Sequence, residues 1–438
     1  MHHRLTHSEG SERLLLVFAD WGNHAERLVR LSRKGYDVAV VDDYSSFFID
    51  WSFTRAYVEI CLIACGLGVY AASQTTQAID HKITRRVAVN GTMSPLDDCR
   101  GIPEDVFAAL LSSEQDGARL ELQTIADRLI LHTPSDMRWD LALIGRDDRL
   151  FSRRNQQRAW EEAEVAVEIV RGGHFIDVQE IVNRHFIDKK AAQKCFRKSL
   201  PTYDDHAAVQ AEVVERMMEM CRDCGVDRAV MQAHNTVLEI GSGTGMLSRR
   251  VVRLIGDATL MMWDIAAREP RKLTLTRKCR FQRCDAEMAI AQLKPGSVDH
   301  IFSASTVEWL NSPTRFVAHC ARALRPGGYL VVSTFTKGHM HELAEITGIG
   351  LPLMSADDWR TMGHDRLELV DCQAYSRDVD FESPADILRH LQHIGANSLS
   401  HGAKSTILGR RILKSYPMML DARYHLTYCP IILIFRRR

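Results

Sequence analysis

A short stretch at residues 236–245 constrains the fold of this chain more than any other part of its sequence. An apolar run there ends in Glu239, and glycines follow at alternate positions, Gly241, Gly243 and Gly245. Glycine adopts positive φ and has no Cβ, so a ligand can lie directly against the main chain at such a turn. The pattern predicts a buried strand that turns sharply into a helix, with a binding site at the carboxyl end of the strand.

Two later acids strengthen the prediction of a binding site, because a glycine-rich turn alone is often only a turn. Asp264 ends a second apolar run about 20 residues after the glycines, where an acid can accept hydrogen bonds from ribose hydroxyls. Asp285 comes where a third strand should end, and it could hold an adenine amino group. Each aspartate could instead be a solvated loop acid. The predicted cofactor-binding set also includes the residues that follow the two acids, Ile265 and Ala286.

The ligand predicted by this pattern is an adenosine-like molecule. No P-loop lysine follows the glycines, and the spacing G-x-G-x-G differs from the G-x-G-x-x-G of dinucleotide-binding sites. The sequence contains no evident constellation of residues for hydride transfer. S-adenosylmethionine therefore fits the pattern better than a nicotinamide dinucleotide.

Length and composition indicate an ordinary globular protein of two or three domains. The 438 residues carry 56 Lys+Arg and 56 Asp+Glu, so net charge predicts neither a nucleic-acid partner nor a membrane surface. No apolar stretch reaches the roughly 18 residues of a membrane span, and the N-terminus does not resemble a signal peptide. The only close cysteine pair, Cys221 and Cys224, has no second pair, so we expect no metal site. Scattered cysteines favour reduced thiols and a cytoplasmic location.

Strand-like and helix-like segments alternate in both halves of the chain, which predicts an α/β fold with mostly parallel sheets. We place the boundary between two domains after residue 186, giving domains 1–186 and 187–438. Helical patterns at 103–111 and 120–140 interrupt the strands of the first half. The alternating run Tyr424–Phe435 predicts an antiparallel strand at the edge of the second sheet.

The second half resembles the malonyl-acyl-carrier-protein O-methyltransferases of biotin biosynthesis, which are class I enzymes dependent on S-adenosylmethionine. The resemblance runs from about residue 194 to the end. It departs from the family at Ala304 and Glu308, where the family tends to have Asn and Gln. The matching segments are Thr202–Ala207, Leu238–Gly245, Asp264–Ile265, Asp285–Glu287, Glu308–Leu310, Leu324–Gly328, Phe381–Leu391 and Leu426–Tyr428.

The resemblance implies a direct displacement, in which the free carboxylate of a malonyl thioester takes the methyl group. This carboxylate is already ionised at neutral pH, so the reaction needs no general base. It needs alignment, exclusion of water and a counter-charge. Arg389 is the candidate for holding the carboxylate, with Tyr428 and Tyr203 as neighbours. The alternatives are that Arg389 lies on a helix surface and that Tyr428 packs in the core; Glu239 is expected to orient the glycine turn.

The family resemblance also implies an acidic acyl-carrier protein as the partner. It would carry a malonyl thioester for the second half and a pimeloyl methyl ester thioester for the first. A docking surface for it should be basic. A run of like charges is usually just solvated, so each candidate cluster has that alternative. The two clusters are Lys189, Lys190, Lys194, Arg197 and Lys198, and Arg410, Arg411 and Lys414.

The first half resembles the compact pimeloyl-acyl-carrier-protein methyl ester esterases of α/β-hydrolase type. In this fold the acid and the histidine of the catalytic triad follow the nucleophile along the chain. Asp148 (or Asp147) and His174 occupy those places. The resemblance covers about residues 13–186, and its matching segments are Trp21–Gly22, Val87–Thr92, Gly145–Phe151 and Gly172–Phe175.

The nucleophile expected by this resemblance is missing. The strand-to-helix turn reads Ala64-Cys65-Gly66-Leu67-Gly68, which places Gly66, without a side chain, at the nucleophile position. Cys65 is adjacent, but a shift of one residue along a strand points a side chain the opposite way. The sequence therefore leaves two interpretations of the first half, a weak esterase or a scaffold for the transferase. A third alternative is that the transferase methylates a different carboxylic acid.

Overall fold

The computed structural model describes residues 3–6, 11–20, 36–42, 49–91, 139–232, 235–255, 258–267, 279–348, 350–397, 405–418 and 423–438. The helical segment predicted at 103–111, nearly all of the one at 120–140, and the motif residues Trp21 and Gly22 lie outside these ranges. The chain divides into two compact units, Met1–Val182 and Asn183–Arg438. The domain boundary that the sequence placed after residue 186 stays a prediction.

The first unit contains a seven-stranded sheet with the order β1-β3-β2-β4-β5-β6-β7. Every pair is parallel except β1 with β3. Strands β2 to β6 are buried along their whole length, as in sheets covered on both faces. They are mostly apolar, but β5 also buries Thr84, Arg85 and Arg86. The strands are β1 (His3–Thr6), β2 (Arg13–Phe18), β3 (Asp37–Val41), β4 (Glu59–Cys65), β5 (Ile83–Val89), β6 (Leu141–Gly145) and β7 (Val167–Val170).

The first two α-helices that the structure describes in this unit connect strands of this sheet, and the third follows its last strand. Helix α2 begins at the N-cap Ser152, whose hydroxyl accepts the backbone N–H of Asn155, and it buries Trp160 in the core. Two 3-10 helices, Trp51–Ala56 and Thr76–Lys82, lie before β4 and before β5. The α-helices are α1 (Leu67–Thr75), α2 (Arg153–Glu162) and α3 (Val178–His185).

The second unit contains a seven-stranded sheet with the order β10-β9-β8-β11-β12-β16-β13 and a two-stranded sheet of β14 and β15. Strands β8 to β12 pair in parallel, and β16 pairs antiparallel with both β12 and β13. The strands are β8 (Thr236–Ile240), β9 (Thr259–Asp264), β10 (Cys279–Arg283), β11 (Val298–Ala304), β12 (Leu324–Phe335), β13 (Leu367–Ala374), β14 (Arg377–Phe381), β15 (Tyr424–Tyr428) and β16 (Pro430–Arg437).

Helices surround this sheet, and two of them begin with the pair Ser-Pro. In α10 and α13, the serines Ser312 and Ser383 act as N-caps, and the prolines fit the first helical turn, where no N–H bond is needed. A 3-10 turn at Val307–Trp309 follows β11. The helices are α4 (Lys189–Ser199), α5 (Tyr203–His206), α6 (Ala208–Asp223), α7 (Val226–Val230), α8 (Ser248–Val251), α9 (Ala286–Gln292), α10 (Pro313–Ala323), α11 (His341–Thr347), α12 (Ala356–Thr361), α13 (Pro384–His393) and α14 (Ser405–Ser415).

The antiparallel pairing predicted for the C-terminal run is confirmed, but the prediction of a single strand at the sheet edge was wrong. The run Tyr424–Phe435 divides at Cys429 into β15 and β16, which belong to different sheets. Strand β16 is an inner strand between β12 and β13, not an edge strand. The reason is that residues 431–435 are continuously apolar and fully buried, which suits a strand covered on both faces.

The predicted α/β fold with two parallel-sheet domains is confirmed. Each sheet carries an antiparallel addition at one side, and the carboxyl ends of the parallel strands are available for binding sites. Within the part of the chain that the structure describes, no helix is long and apolar enough to cross a membrane.

Candidate functional site

The glycine turn after β8 has the backbone geometry that its sequence predicts. Gly241, Gly243 and Gly245 all have positive φ, at 77°, 51° and 86°. A Cβ on Gly241 would lie within 3.0 Å of the Thr306 side chain, so only glycine fits there. A Cβ on Gly243 would meet nothing nearer than the Gly241 carbonyl oxygen at 4.0 Å. The main chain at Gly243 is therefore bare and faces open space.

Asp264, the last residue of β9, connects this turn to the neighbouring strand. Its Oδ2 accepts the backbone N–H of Gly243 at 2.8 Å. Its Oδ1 accepts the N–H groups of Ala266 at 2.7 Å and Ala267 at 2.6 Å. The carboxylate therefore fixes two backbone turns at once, and its position at the strand end is the one predicted for contact with a ribose.

Asp285 lies at the N-terminus of α9, where its Oδ1 accepts the N–H of Glu287 at 3.1 Å. The ammonium group of Lys189 lies 2.8 Å from Asp285 and 2.5 Å from the Glu287 carboxylate. The Lys189 side chain is only 3% exposed, so its inclusion in the predicted basic docking cluster was wrong. Burial of a lysine is tolerated here because two carboxylates compensate its charge.

These residues line one cavity of the second unit, which we call the glycine-turn cavity. The lining contains seven of the eight residues predicted to bind the cofactor, and Gly245 alone among them is absent from it. The described lining offers carboxylates and a bare main chain, and its one lysine, Lys189, is paired. This donor set fits a neutral nucleoside better than a phosphate. The seven residues are Glu239, Gly241, Gly243, Asp264, Ile265, Asp285 and Ala286.

Glu239 is 1% exposed. Burial raises its pKa to about 8, although a hydrogen bond from Ser248 opposes this shift. A carboxyl group that stays protonated near neutrality does not add a negative charge beside Asp264. This is consistent with the predicted role of Glu239 in shaping the turn.

A second cavity, which we call the apolar cavity, shares part of its lining with the first. The shared residues are Phe196, Tyr203, Gln210, Ser305 and Trp309. The remaining described lining is dominated by aromatic and aliphatic side chains, and its ionisable members are Glu308 and His339. The two cavities therefore meet at Tyr203 and Trp309. The apolar members of the second cavity include Phe335, Met340, Leu343, Leu351, Leu388, Leu391, Ile394, Leu408 and Ile412.

Glu308 is 6% exposed, and its Oε2 accepts a hydrogen bond from the Thr334 hydroxyl at 2.9 Å. Burial raises the pKa of Glu308 to about 7. Hydrogen bonds from its own backbone and from Thr334 lower the pKa, but they offset only part of the effect of burial. Burial also lowers the pKa of His339 to about 3, so this imidazole is neutral. The described lining of the apolar cavity contains no lysine or arginine.

Of the three residues predicted to act on the acceptor, Tyr203 and Tyr428 lie within electrostatic range of each other, whereas Arg389 lies apart from them on the surface. Tyr203 lines both cavities. Tyr428 is fully buried, and its hydroxyl lies 2.6 Å from Nε2 of His390. The side chain of Arg389 is 67% exposed and pairs with Asp386 one turn earlier in α13. Arg389 lines neither cavity, and its exposure favours the alternative that it lies on a helix surface. The full burial of Tyr428 favours the alternative that it packs in the core.

In the first unit, Gly66 lies at the sharp turn between β4 and α1. Its φ of 51° and ψ of −121° are accessible to glycine but strained for other residues. A Cβ on Gly66 would lie within 3.0 Å of the Asp20 carboxylate. Oδ1 of Asp20 accepts the backbone N–H of Leu67 at 2.9 Å. The carboxylate of Asp20 therefore occupies the space in which a side chain at position 66 would begin.

His174 lies between two carboxylates. Its Nε2 is 2.5 Å from Oδ2 of Asp20, and its Nδ1 is 3.1 Å from both oxygens of Asp148. All three side chains are 4% exposed or less. The structure thus brings together the predicted acid and histidine, and it adds an acid that the sequence analysis missed. The sequence signal for Asp20 was its place directly after an apolar strand.

Asn90 positions the loop that carries His174. Its side-chain amide donates to the carbonyl oxygens of Gly173 at 3.1 Å and His174 at 2.6 Å, and its Oδ1 accepts the N–H of Gly145 at 2.6 Å. The rings of Phe151 and His174 meet edge to face. These contacts fix the imidazole between its two partners.

The charge of this cluster follows from its partners. Burial lowers the pKa of His174, but the charges of Asp20 and Asp148 and the hydrogen bonds to both outweigh burial and raise it to about 9. Burial, and then the charge of Asp20, raise the pKa of the Cys65 thiol far above its ordinary value. At neutral pH the cluster therefore contains an imidazolium ion, and the neighbouring cysteine is a thiol.

Comparison with known protein families identifies a class for each unit. A family model described as "Methyltransferase domain" matches residues 238–332, which include the glycine turn and both aspartates. A model described as "Pimeloyl-ACP methyl esterase BioG" matches residues 1–133, a range that ends before Asp148 and His174. The chain thus carries a methyltransferase domain behind a domain of the pimeloyl-ACP methyl esterase type.

Individual relatives carry a more particular name. A protein of Bacteroides fragilis (strain 638R) named malonyl-[acyl-carrier protein] O-methyltransferase is 26% identical, over 97% of this chain and 93% of its own. Proteins of the same name from Haemophilus influenzae and Chlorobium phaeovibrioides are each 28% identical; they align with 57% of this chain and with 95% and 97% of their own. This chain is similar to the first along nearly its whole length and to the others along little more than half.

We expect Gly241→Ala to destabilise the second unit more than Gly225→Ala. Both glycines have positive φ, but an added Cβ meets Thr306 at position 241 and nothing within 4 Å at position 225. Overpacking of this kind costs about 1–3 kcal/mol beyond the backbone strain that both variants share. In differential scanning calorimetry, the Tm of Gly241→Ala should lie below that of Gly225→Ala by about 2–4 °C for each kcal/mol of difference in stability. Equal melting temperatures for the two variants would contradict the tight contact with Thr306.

Proposed function

We propose that the second unit transfers a methyl group from S-adenosylmethionine to the free carboxylate of a malonyl group carried by an acyl-carrier protein, a step in biotin biosynthesis. The observation that carries this proposal is the pair of cavities that share Tyr203 and Trp309. One cavity has the donor set for a nucleoside, and the other has room for an acyl group. The names of the relatives support the choice of acceptor.

The cofactor would lie in the glycine-turn cavity. Asp264 would accept hydrogen bonds from the ribose hydroxyls, and Asp285 would hold the adenine amino group. Oδ1 of Asp264 already accepts two backbone N–H groups, whereas its Oδ2 accepts that of Gly243 and has a second lone pair for a ribose hydroxyl. When bound, S-adenosylmethionine supplies an electrophilic methyl group on a positively charged sulfur, which also compensates the charge of an acceptor carboxylate.

The apolar cavity would bind the acceptor. A malonyl carboxylate is ionised at neutral pH, so the protein does not need to remove a proton from it. The aromatic and aliphatic lining excludes water, and exclusion of water strengthens the remaining electrostatic interactions. Tyr203, which lines both cavities, would align the carboxylate with the methyl group.

The surface near the apolar cavity suits an acidic carrier protein. Helices α4 and α14 each contribute residues to the lining, Phe196 from α4 and Leu408 and Ile412 from α14. The outward side chains of the same helices are basic and exposed, so a docked carrier protein could deliver its acyl group directly to the cavity. These side chains are Lys190, Lys194, Arg197 and Lys198 on α4, and Arg410, Arg411 and Lys414 on α14.

Transfer of a radiolabelled methyl group to malonyl-acyl-carrier protein tests the proposed function. Acetyl-acyl-carrier protein, which lacks the free carboxylate, is the control and should remain unlabelled. Free malonate and malonyl-coenzyme A, compared with the carrier-bound form, show which thioester the protein prefers. Labelling of another carboxylic acid but not of the malonyl thioester would show instead that the transferase has a different acceptor.

We expect kcat/KM for the malonyl acceptor to fall as pH rises through about 7. Glu308 has a pKa raised by burial to about 7, so it is neutral below this pH and ionised above it. An ionised Glu308 repels the acceptor carboxylate, which shares the apolar cavity with it. The pKa values of His339 and of His390 nearby are lowered to about 3 and about 4, so these groups stay neutral over the same range.

Glu308→Gln is the matched control, because the amide keeps the size and the bond to Thr334 without the charge. The kcat/KM of this variant should not decrease above pH 7. At pH 8 its kcat/KM should therefore exceed that of the wild type. A decrease that persists unchanged in Glu308→Gln would exclude Glu308 as its cause.

We expect Lys194→Glu combined with Lys198→Glu to raise KM for carrier-bound malonyl by roughly tenfold with little change in kcat, because charges at the rim of an interface mainly affect association. Malonyl-coenzyme A, which has no acidic protein surface, should show a much smaller change. Lys294→Glu, an exposed charge reversal outside both cavity linings, is the control. Unchanged KM for the carrier-bound substrate would show that the carrier protein does not dock on α4.

A further inference from the structure

We infer that Asp20 has taken the place of the nucleophile in the first unit, and that its site is a closed carboxylate–imidazolium–carboxylate cluster that does not cleave esters. The inference depends on the contacts of Asp20, Gly66, Leu67, His174 and Asp148. It concerns a site that is independent of the methyltransferase cavities.

The first step is steric. The turn at Gly66 has the position, between a buried strand and a helix, at which an α/β-hydrolase carries its nucleophile. A Cβ there would overlap all three carboxyl atoms of Asp20, each of which lies within 3.0 Å of it. A serine at position 66 and the present conformation of Asp20 are therefore mutually exclusive. The carboxylate of Asp20 can occupy this position only because residue 66 has no side chain.

The second step concerns the oxyanion. In this fold the backbone N–H that follows the nucleophile stabilises the negative oxygen of the tetrahedral intermediate. Here that N–H belongs to Leu67, and it donates to Oδ1 of Asp20 at 2.9 Å. A full negative charge thus occupies the position that an ester oxygen would need. The carboxylate both fills the oxyanion position and repels charge that would develop there.

The third step concerns the base. A triad histidine must be neutral to accept a proton from its nucleophile. His174 lies between the carboxylates of Asp20 and Asp148, at 2.5 and 3.1 Å, and these two charges keep it protonated at neutral pH. Its Nε2, the atom that would serve as base, is already bonded to Asp20. The imidazolium is a counter-ion for two buried acids.

The adjacent residues do not restore a nucleophile. Cys65 is buried, and burial, followed by the charge of Asp20, holds its pKa high, so it is present as the unreactive thiol. Both oxygens of Asp20 are bonded, one to Leu67 and one to His174, and the residue is 6% exposed. Among the described residues of this turn, none is an available nucleophile.

If the proposed function holds, this cluster also places the protein in a reaction sequence. The methyl ester that the second unit makes is not hydrolysed by the first unit, so the two units do not undo each other. Removal of that methyl group therefore requires a separate carboxylic ester hydrolase.

The test compares four full-length chains: the wild type, Gly66→Ser, Asp20→Gly, and the double variant with both changes. Each is treated with a fluorophosphonate, which labels activated serines, and assayed with a short-chain nitrophenyl ester and with dimethyl pimelate. We expect neither labelling nor hydrolysis for the wild type and Asp20→Gly, and little of either for Gly66→Ser, whose new side chain meets Asp20. The double variant should be labelled at position 66 and hydrolyse the nitrophenyl ester at least about 10²-fold faster than the wild type, because it regains a serine, a free Leu67 N–H and a neutral His174.

Hydrolysis by the wild type that is lost in Asp20→Asn or His174→Ala would overturn the inference, since Asp20 would then be a catalytic residue. Nuclear magnetic resonance of the wild-type imidazoles gives a second readout that needs no variant to fold. A His174 signal that remains protonated up to about pH 8 supports the cluster, whereas a neutral ring at pH 7 contradicts it.

Methyl transfer to malonyl-acyl-carrier protein is measured on the same preparations. Its absence would exclude the proposed function of the second unit but leave the labelling result for the first unit intact. The two conclusions can therefore fail separately.

Discussion

The binding site of the second unit depends on one carboxylate, that of Asp264. It accepts the N–H of Gly243 from the turn after β8 and the N–H groups of Ala266 and Ala267 after β9. Hydrogen bonds to a charged acceptor are stronger than neutral ones, and here they are shielded from water. They keep the main chain at Gly243 in the conformation that leaves it bare. The proposed nucleoside site and the proposed position of the methyl group both depend on that exposed stretch of backbone.

Buried acids determine the chemistry of both units, but their environments differ. In the apolar cavity, the described partners that stabilise the charge of Glu308 are its own backbone and the Thr334 hydroxyl, and burial outweighs them and raises its pKa to about 7. In the first unit, Asp20 and Asp148 share one histidine, and the pKa of His174 rises to about 9. An acid without a counter-charge tends to become neutral, whereas acids around a histidine keep it charged. The same residue type thus yields a titrating group in one unit and a fixed ionic cluster in the other.

Local patterns in the sequence predicted what depends on local structure. The glycine turn and the acids at strand ends were predictable, because each depends on residues next to a recognisable strand. The pair of Asp148 and His174 was expected from the resemblance to α/β-hydrolase esterases, which left Asp147 as an alternative acid. The orientation of Arg389 was not, since an amphipathic helix can present an arginine to the surface, and its i,i+3 partner Asp386 holds it there. Asp20 was missed because its role depends on contacts with residues 47 and 154 positions away. Asp20, Leu67 and His174 follow three different strands, and no sequence motif predicts contacts between them because only the folded sheet brings them together.

The most direct test of the central claim is a calorimetric titration of the full-length chain with S-adenosylmethionine, alongside Asp264→Ala. The account predicts saturable binding at one site per chain for the wild type, and at least about tenfold weaker binding, or about 1.4 kcal/mol, for the variant. Folded wild-type protein that takes up no nucleoside, or a variant that binds as tightly as the wild type, would contradict it.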